Sequence, residues 1–124
     1  MIYTTYFAKL KKLPKNITPI SICGWPPAGY SGPEYRTLAP KYDFFKQWKE
    51  TGDNNFYIKC YNEQVLSKLN PDRVVADLYF QINKAPNSCD IALVCYEKSE
   101  DFCHRHLVAK WLNTHGFECR EYDK

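Results

Sequence analysis

The chain has 124 residues, enough to hold a core without disulfide or metal staples. Its 44% hydrophobic and 25% charged residues are those of an ordinary soluble globular protein, and no apolar run approaches the roughly 20 residues of a bilayer span. A net charge of +3 permits contact with phosphates without demanding it, and falls short of a dedicated basic nucleic-acid module.

The opening IYTTYF has the β-branched and aromatic content of a strand. The basic, proline-interrupted KKLPKN leads to a second strand, ITPISIC. Residues 24–40, GWPPAGYSGPEYRTLAP, hold four prolines and three glycines and are expected to form a long irregular loop. Tyr42, Phe44, Phe45 and Trp48 have helical spacing up to Thr51-Gly52-Asp53. A second helix is expected from Asn54 or Asn55, with apolar positions from Phe56 to Leu69. Asn70-Pro71-Asp72 reads as a cap with proline in the first helical position, opening a third helix to about Lys84. CDIALVCYE is the near-continuous apolar strand of a parallel sheet. CHRHLVAKWLNTHG then reads as a helix stopped by Gly116, and FECREY as a last short strand. Helical crossovers between strands predict a single α/β domain over residues 1–124, with a small, mostly parallel sheet and helices on both faces.

Chemistry concentrates in CYEKSEDFCHRH, Cys95 to His106, where a strand end meets a helix start. Ligands of open α/β sheets bind at such places. The helix is expected to be capped by Ser99 or Asp101. His104 falls near the centre of its apolar face, Arg105 at the border and His106 on the solvent side, while Cys103 sits where the helix dipole favours a thiolate. Four readings follow. In the first, Glu97 and Arg105 form a buried structural pair. In the second, Arg105 and first-turn N–H groups hold an anion, with Glu97 orienting the arginine. In the third, Cys103 or Cys95 is a nucleophile with His104 as its base, although Cys95 in a buried strand is expected to be inert. In the fourth, Cys95, Cys103 and His104 or His106 bind zinc. The spacing matches no familiar zinc pattern, and adjacent helical residues diverge by about 100°, so no metal site is expected.

Trp25, Tyr30 and Tyr35, stiffened by Pro26, Pro27 and Pro33, form an aromatic flap after the second strand. It is read either as a stacking wall for a base or sugar or as a loop packed on its own rings. Lys9, Lys11, Lys12 and Lys15 are read as a solvated connection. The N-terminal MIYTTYFAKLKK lacks the order of a signal peptide, so the cytoplasm is the expected compartment, with the six cysteines as free thiols.

The stretch CYEKSEDFCHRHLVAKWL resembles the signature of the domain-of-unknown-function 488 family, which includes the YeaO-like proteins. That signature is a strand ending in Cys-x-Glu, a short loop, and Cys-His-Arg opening a helix; here it falls on Cys95, Glu97, Cys103, His104 and Arg105. The resemblance extends to the TTYF-type first strand, the aromatic loop and the Phe56, Tyr57, Tyr61 pattern. It implies a compact α/β domain with a polar pocket at that corner and supplies no reaction. Many members carry Asp-Val-Arg at the end of the second strand, where this chain has SICGWPP.

The expected function is binding of an anionic ligand, a nucleotide or nucleic acid, at the 95–106 corner. Glu97, Cys103 and His104 are the candidate catalytic residues, and Arg105, Cys95, Trp25 and Tyr35 the candidate ligand contacts. A hydrolase or transferase acting on a nucleotide or nucleic acid is a second possibility, and a protein–protein interaction module with a purely structural corner a third. Neither cofactor nor membrane is expected, and the aromatic supply also suits a homodimer.

Overall fold

The computed structural model describes residues 1–86, 88–97 and 101–123. In chain order the elements are β1 (Ile2–Tyr6), β2 (Ile17–Ser21), α1 (Tyr42–Thr51), α2 (Asn54–Gln64), α3 (Pro71–Gln81), β3 (Asp90–Cys95), α4 (His104–Thr114) and β4 (Cys119–Glu121). Tighter 3-10 turns occupy Phe7–Lys12, Arg36–Leu38 and Leu66–Lys68. The strands form one four-stranded sheet in the order β2-β3-β1-β4, and each pairing is parallel, as expected for strands joined by crossovers.

Local chemistry explains the helix limits. Gly52, in the left-handed conformation at φ 70°, ends α1, and the Asp53 carboxylate accepts from the Phe56 N–H to start α2. Asn70 caps α3 through the Arg73 N–H, with Pro71 in the first helical position. Two helices stop earlier than their apolar patterns predict. Helix α2 ends at Gln64 and tightens into the 3-10 turn, which still buries Val65 and Leu66. Helix α3 ends at Gln81 because Asn83 turns left-handed, at φ 58°.

Residues alternate along each strand between two layers. Ile2, Ile20, Ile91 and Leu93 join Phe44, Tyr61, Leu78 and Val108 from the four α-helices in the main core. On the opposite face Ile17 and Ala92 pack with Tyr3, Leu13 and Tyr122, beside the 3-10 turn 7–12. Lys9 in that turn donates to the Tyr122 carbonyl and lies over its ring. Both faces therefore carry helical segments, the α-helices on one and a 3-10 turn on the other.

The register Tyr6↔Cys95 and Ser21↔Val94 brings the carboxyl ends of β1, β2 and β3 level. The long loop shields the outer edge of β2: Ser21 donates to the Pro33 carbonyl at 2.9 Å and Tyr35 donates to the Ser21 carbonyl at 2.7 Å. Its far end is pinned where the buried Tyr61 hydroxyl donates to the Leu38 carbonyl at 2.6 Å. Among the described residues no helix is long and apolar enough to cross a membrane.

Candidate functional site

Cys95 is the last residue of β3, on the same face as Ile91 and Leu93, so its thiol points into the helix layer. Cys103 is the N-cap of α4, with extended φ −157° and ψ 146°; Asp101, expected in that role, precedes it, and Ser99 lies outside the described residues. Because an N-cap is not yet helical, the 100° step that separates neighbours on a helix does not hold between Cys103 and His104. Both side chains turn towards Cys95. The His104 Nδ1 lies 3.5 Å from Cys95 Sγ and 3.9 Å from Cys103 Sγ, and all three donor atoms fall within 4.8 Å of one another.

The histidine ring is locked. Nε2 is 2.8 Å from the Ile22 carbonyl oxygen, which can only accept, so Nε2 carries a hydrogen and donates it. That leaves Nδ1 facing the two sulfurs, free to exchange a proton with either, while Tyr61 packs against the ring at 5.6 Å. The two thiols differ sharply. Hydrogen bonding from Cys95 holds Cys103 down at about 3 against the opposing effect of burial, with His104 and the Arg105 backbone N–H adding to the depression. Cys95 is pushed well above the usual thiol range by the same bond and by burial. The two thiols are thus held apart in opposite directions, Cys103 towards the thiolate and Cys95 towards the thiol.

Above this floor opens a cavity of about 570 Å³, within the range of small-molecule sites. Phe45 and Trp48 of α1, Tyr57 of α2 and Phe102 form its walls. The rings brace one another, with centroids 5.3 Å apart for Trp48–Tyr57 and 5.0 Å for Tyr57–Phe102. Trp25 and Tyr42 also line it and are largely exposed, so they stand at its mouth. Lys49 and Glu97 are charged residues of the lining.

Residues 5–116 match the family described as the active DUF488-N3 subclade. The chain belongs to that subclade. The span contains the Cys-x-Glu and Cys-His-Arg signature, the aromatic loop and all but Thr4 of the first-strand TTYF. Comparison with curated proteins and with solved structures gave no match.

In this DUF488-N3 domain the signature residues serve two different places. Cys95, Glu97, Cys103 and His104 meet the cavity, and Trp25 covers it. Arg105 does not line it. Its guanidinium is fully buried and forks onto Glu121 of β4, Nε to Oε1 at 3.1 Å and Nη2 to Oε2 at 2.9 Å. Thr4 of β1 donates to the same carboxylate at 2.6 Å, and the guanidinium lies 5.7 Å from the Tyr6 ring centroid. The partner of Arg105 is thus Glu121, not the Glu97 that the sequence spacing singled out. Tyr35 is likewise elsewhere, donating to Asp77 of α3 at 3.0 Å. The loop therefore divides, with Trp25 at the cavity and Tyr35 on α3, while Arg36 stacks over the Trp25 ring. His106, expected in solvent, is half-buried, and its Nε2 has no hydrogen-bond partner among the described residues.

Several site residues were absent from the sequence-based candidates. Phe45, Trp48 and Tyr57 have the helical spacing of core residues, and nothing in that spacing separates a core face from a pocket wall. Cys23, just beyond β2, packs against Cys95 and Cys103 with its thiol 3.3 Å from Ser21 Oγ. The Ile22 carbonyl that locks His104 carries no side-chain signal at all.

Proposed function

We propose that this domain is an enzyme for a planar ring compound of the nucleobase, nucleoside or nucleotide class, with Cys95, Cys103 and His104 as its reacting centre. The observation that carries this is the placement of a sulfur–imidazole cluster at the floor of a ring-lined cavity beyond the strand ends, where open α/β sheets bind ligands. A planar ligand between Trp48 and Trp25 gains stacking energy whichever base it carries. Lys49 supplies a cation for a phosphate, and Glu97 an acceptor or proton carrier for a ring nitrogen. Arg105 acts at one remove, fixing the first turn of α4 through Glu121, and Tyr35 anchors the loop that presents Trp25. Membership of a subclade described as active accords with a catalytic role.

The test is thermal denaturation with a panel of phosphate, bases, nucleosides, nucleotides and short oligonucleotides, on the wild type and on Trp25→Ala. A ligand at 100 times its Kd adds about 2.7 kcal/mol, which raises Tm by several degrees in a domain of this size. A shift from ring-bearing ligands that Trp25→Ala weakens is expected. Shifts from phosphate alone, or equal shifts in both proteins, contradict the proposal.

A further inference from the structure

We propose that Cys95, Cys103 and His104 bind a zinc ion through Sγ, Sγ and Nδ1, leaving a fourth position open to the cavity. Zinc takes sulfur at about 2.3 Å and nitrogen at about 2.0–2.1 Å in a tetrahedron, which sets S···N separations near 3.5–3.6 Å. The distances here are 3.5 and 3.9 Å, and the three donor atoms lie within 4.8 Å of one another. Both S···N distances therefore stand within a few tenths of an ångström of those a zinc ion sets.

The surroundings fit the same use. A metal-bound histidine typically donates its other ring N–H to a carbonyl or carboxylate, which fixes tautomer and orientation. The Nε2–H···O=C Ile22 bond, at 2.8 Å, does this before any ion arrives. Two thiolates and an imidazole are the soft donor set that zinc prefers over magnesium or calcium. Structural zinc sites close with four protein ligands, whereas three ligands and an open position mark catalytic ones. All three donors line the cavity, so a water or a ligand atom can take the fourth place. The nearby Cys23 has its thiol engaged by Ser21 Oγ and is left out of the set. The unfamiliar spacing has a plain origin, since the ligands come from a strand end and a helix N-cap and not from a knuckle or finger.

The role of the open position rests on the pocket reading above; ion binding does not. Untagged protein, reduced and stripped of metal, is titrated with cobalt(II) alone and then with zinc. One equivalent of cobalt is expected to give a thiolate-to-metal charge-transfer band and the intense visible bands of a four-coordinate site, both abolished by zinc. Cys103→Ser should weaken uptake by at least the roughly 10–100-fold that even outer-shell changes cause. Cys23→Ser and Cys60→Ser should leave the spectrum unchanged. Absence of these bands in folded wild type, or unchanged bands in Cys103→Ser, overturns the proposal. Loss of the bands in Cys23→Ser overturns the open fourth position. Repeating the ligand panel on stripped and zinc-loaded protein separates the two readings. Ring-ligand shifts without cobalt uptake refute the metal site alone, and cobalt uptake with no ring-ligand shift in either form refutes the pocket reading alone.

Discussion

Cys103 and Arg105 stand two residues apart at the start of α4, both buried, yet their surroundings differ in kind. Arg105 meets a carboxylate that matches its fork, and Thr4 holds that carboxylate from a neighbouring strand. Cys103 meets another thiol and an imidazole, groups that stabilise its charge while leaving it at a cavity. Two of the three Arg105 nitrogens are held by the carboxylate, while Nη1 is buried without a hydrogen-bond partner among the described residues. Cys103 is likewise buried, but it borders the cavity. One helical turn thus supplies a clasp on one side and the proposed reacting centre on the other, both anchored at the strand ends.

The contrast breaks most visibly at Arg105. Arg105→Ala leaves Glu121 facing a cavity without its fork, and is expected to cost about 3–5 kcal/mol in urea denaturation, as breaking a buried pair does. Cys103→Ser, by comparison, should cost about 1 kcal/mol, the ordinary effect of a single substitution. Equal losses in the two variants would make the cysteine cluster as structural as the clasp.

At the pocket mouth, Trp25→Ala should reduce affinity for a ring ligand by about 1–3 kcal/mol, the value of one stacking partner, measured by calorimetry. Trp25 is 76% exposed, so its Tm should barely move. A large drop in Tm with unchanged affinity would assign the tryptophan to the loop's own packing instead.

Glu97→Gln should have the smallest effect on stability, within about 0.5 kcal/mol, as for other positions outside the packed core. Turnover of any ligand found by the panel should nevertheless fall. Full activity would remove Glu97 from the proton-transfer path.

Much of this arrangement is legible in the residues themselves. The apolar run before Cys95, the caps at Asn70 and Gly116 and the alternation of strand and helix place the Cys-x-Glu and Cys-His-Arg segments at the carboxyl end of a parallel sheet. His104 falls under the first turn, as its place on the apolar face of α4 requires. What fails is what depends on the third dimension. Glu121 becomes the partner of Arg105 only because β4 pairs with β1 in a register that sets Glu121 beside Thr4. Cys103 and His104 converge because the cap falls on Cys103, a matter of two residues in the loop. The aromatic walls come from α1 and α2, whose spacing is the same for a packed face as for a pocket.

The most direct test of the divided turn is the pH dependence of Cys103 alkylation, followed by mass spectrometry on reduced, metal-free protein. A thiol held down at about 3 is already thiolate throughout the neutral range, because a depressed value places the charged form above it. Labelling by iodoacetamide should therefore be flat between about pH 5 and pH 8, where an ordinary thiol rises roughly tenfold per unit towards its value near 8.5, and faster than at an equally buried protonated thiol. Cys119, pushed up to about 12 by burial and the Glu121 charge, is the internal control and should stay unlabelled. A Cys103 rate that climbs with pH like a free thiol, or that matches Cys119, would contradict the claim that this end of α4 is built to react.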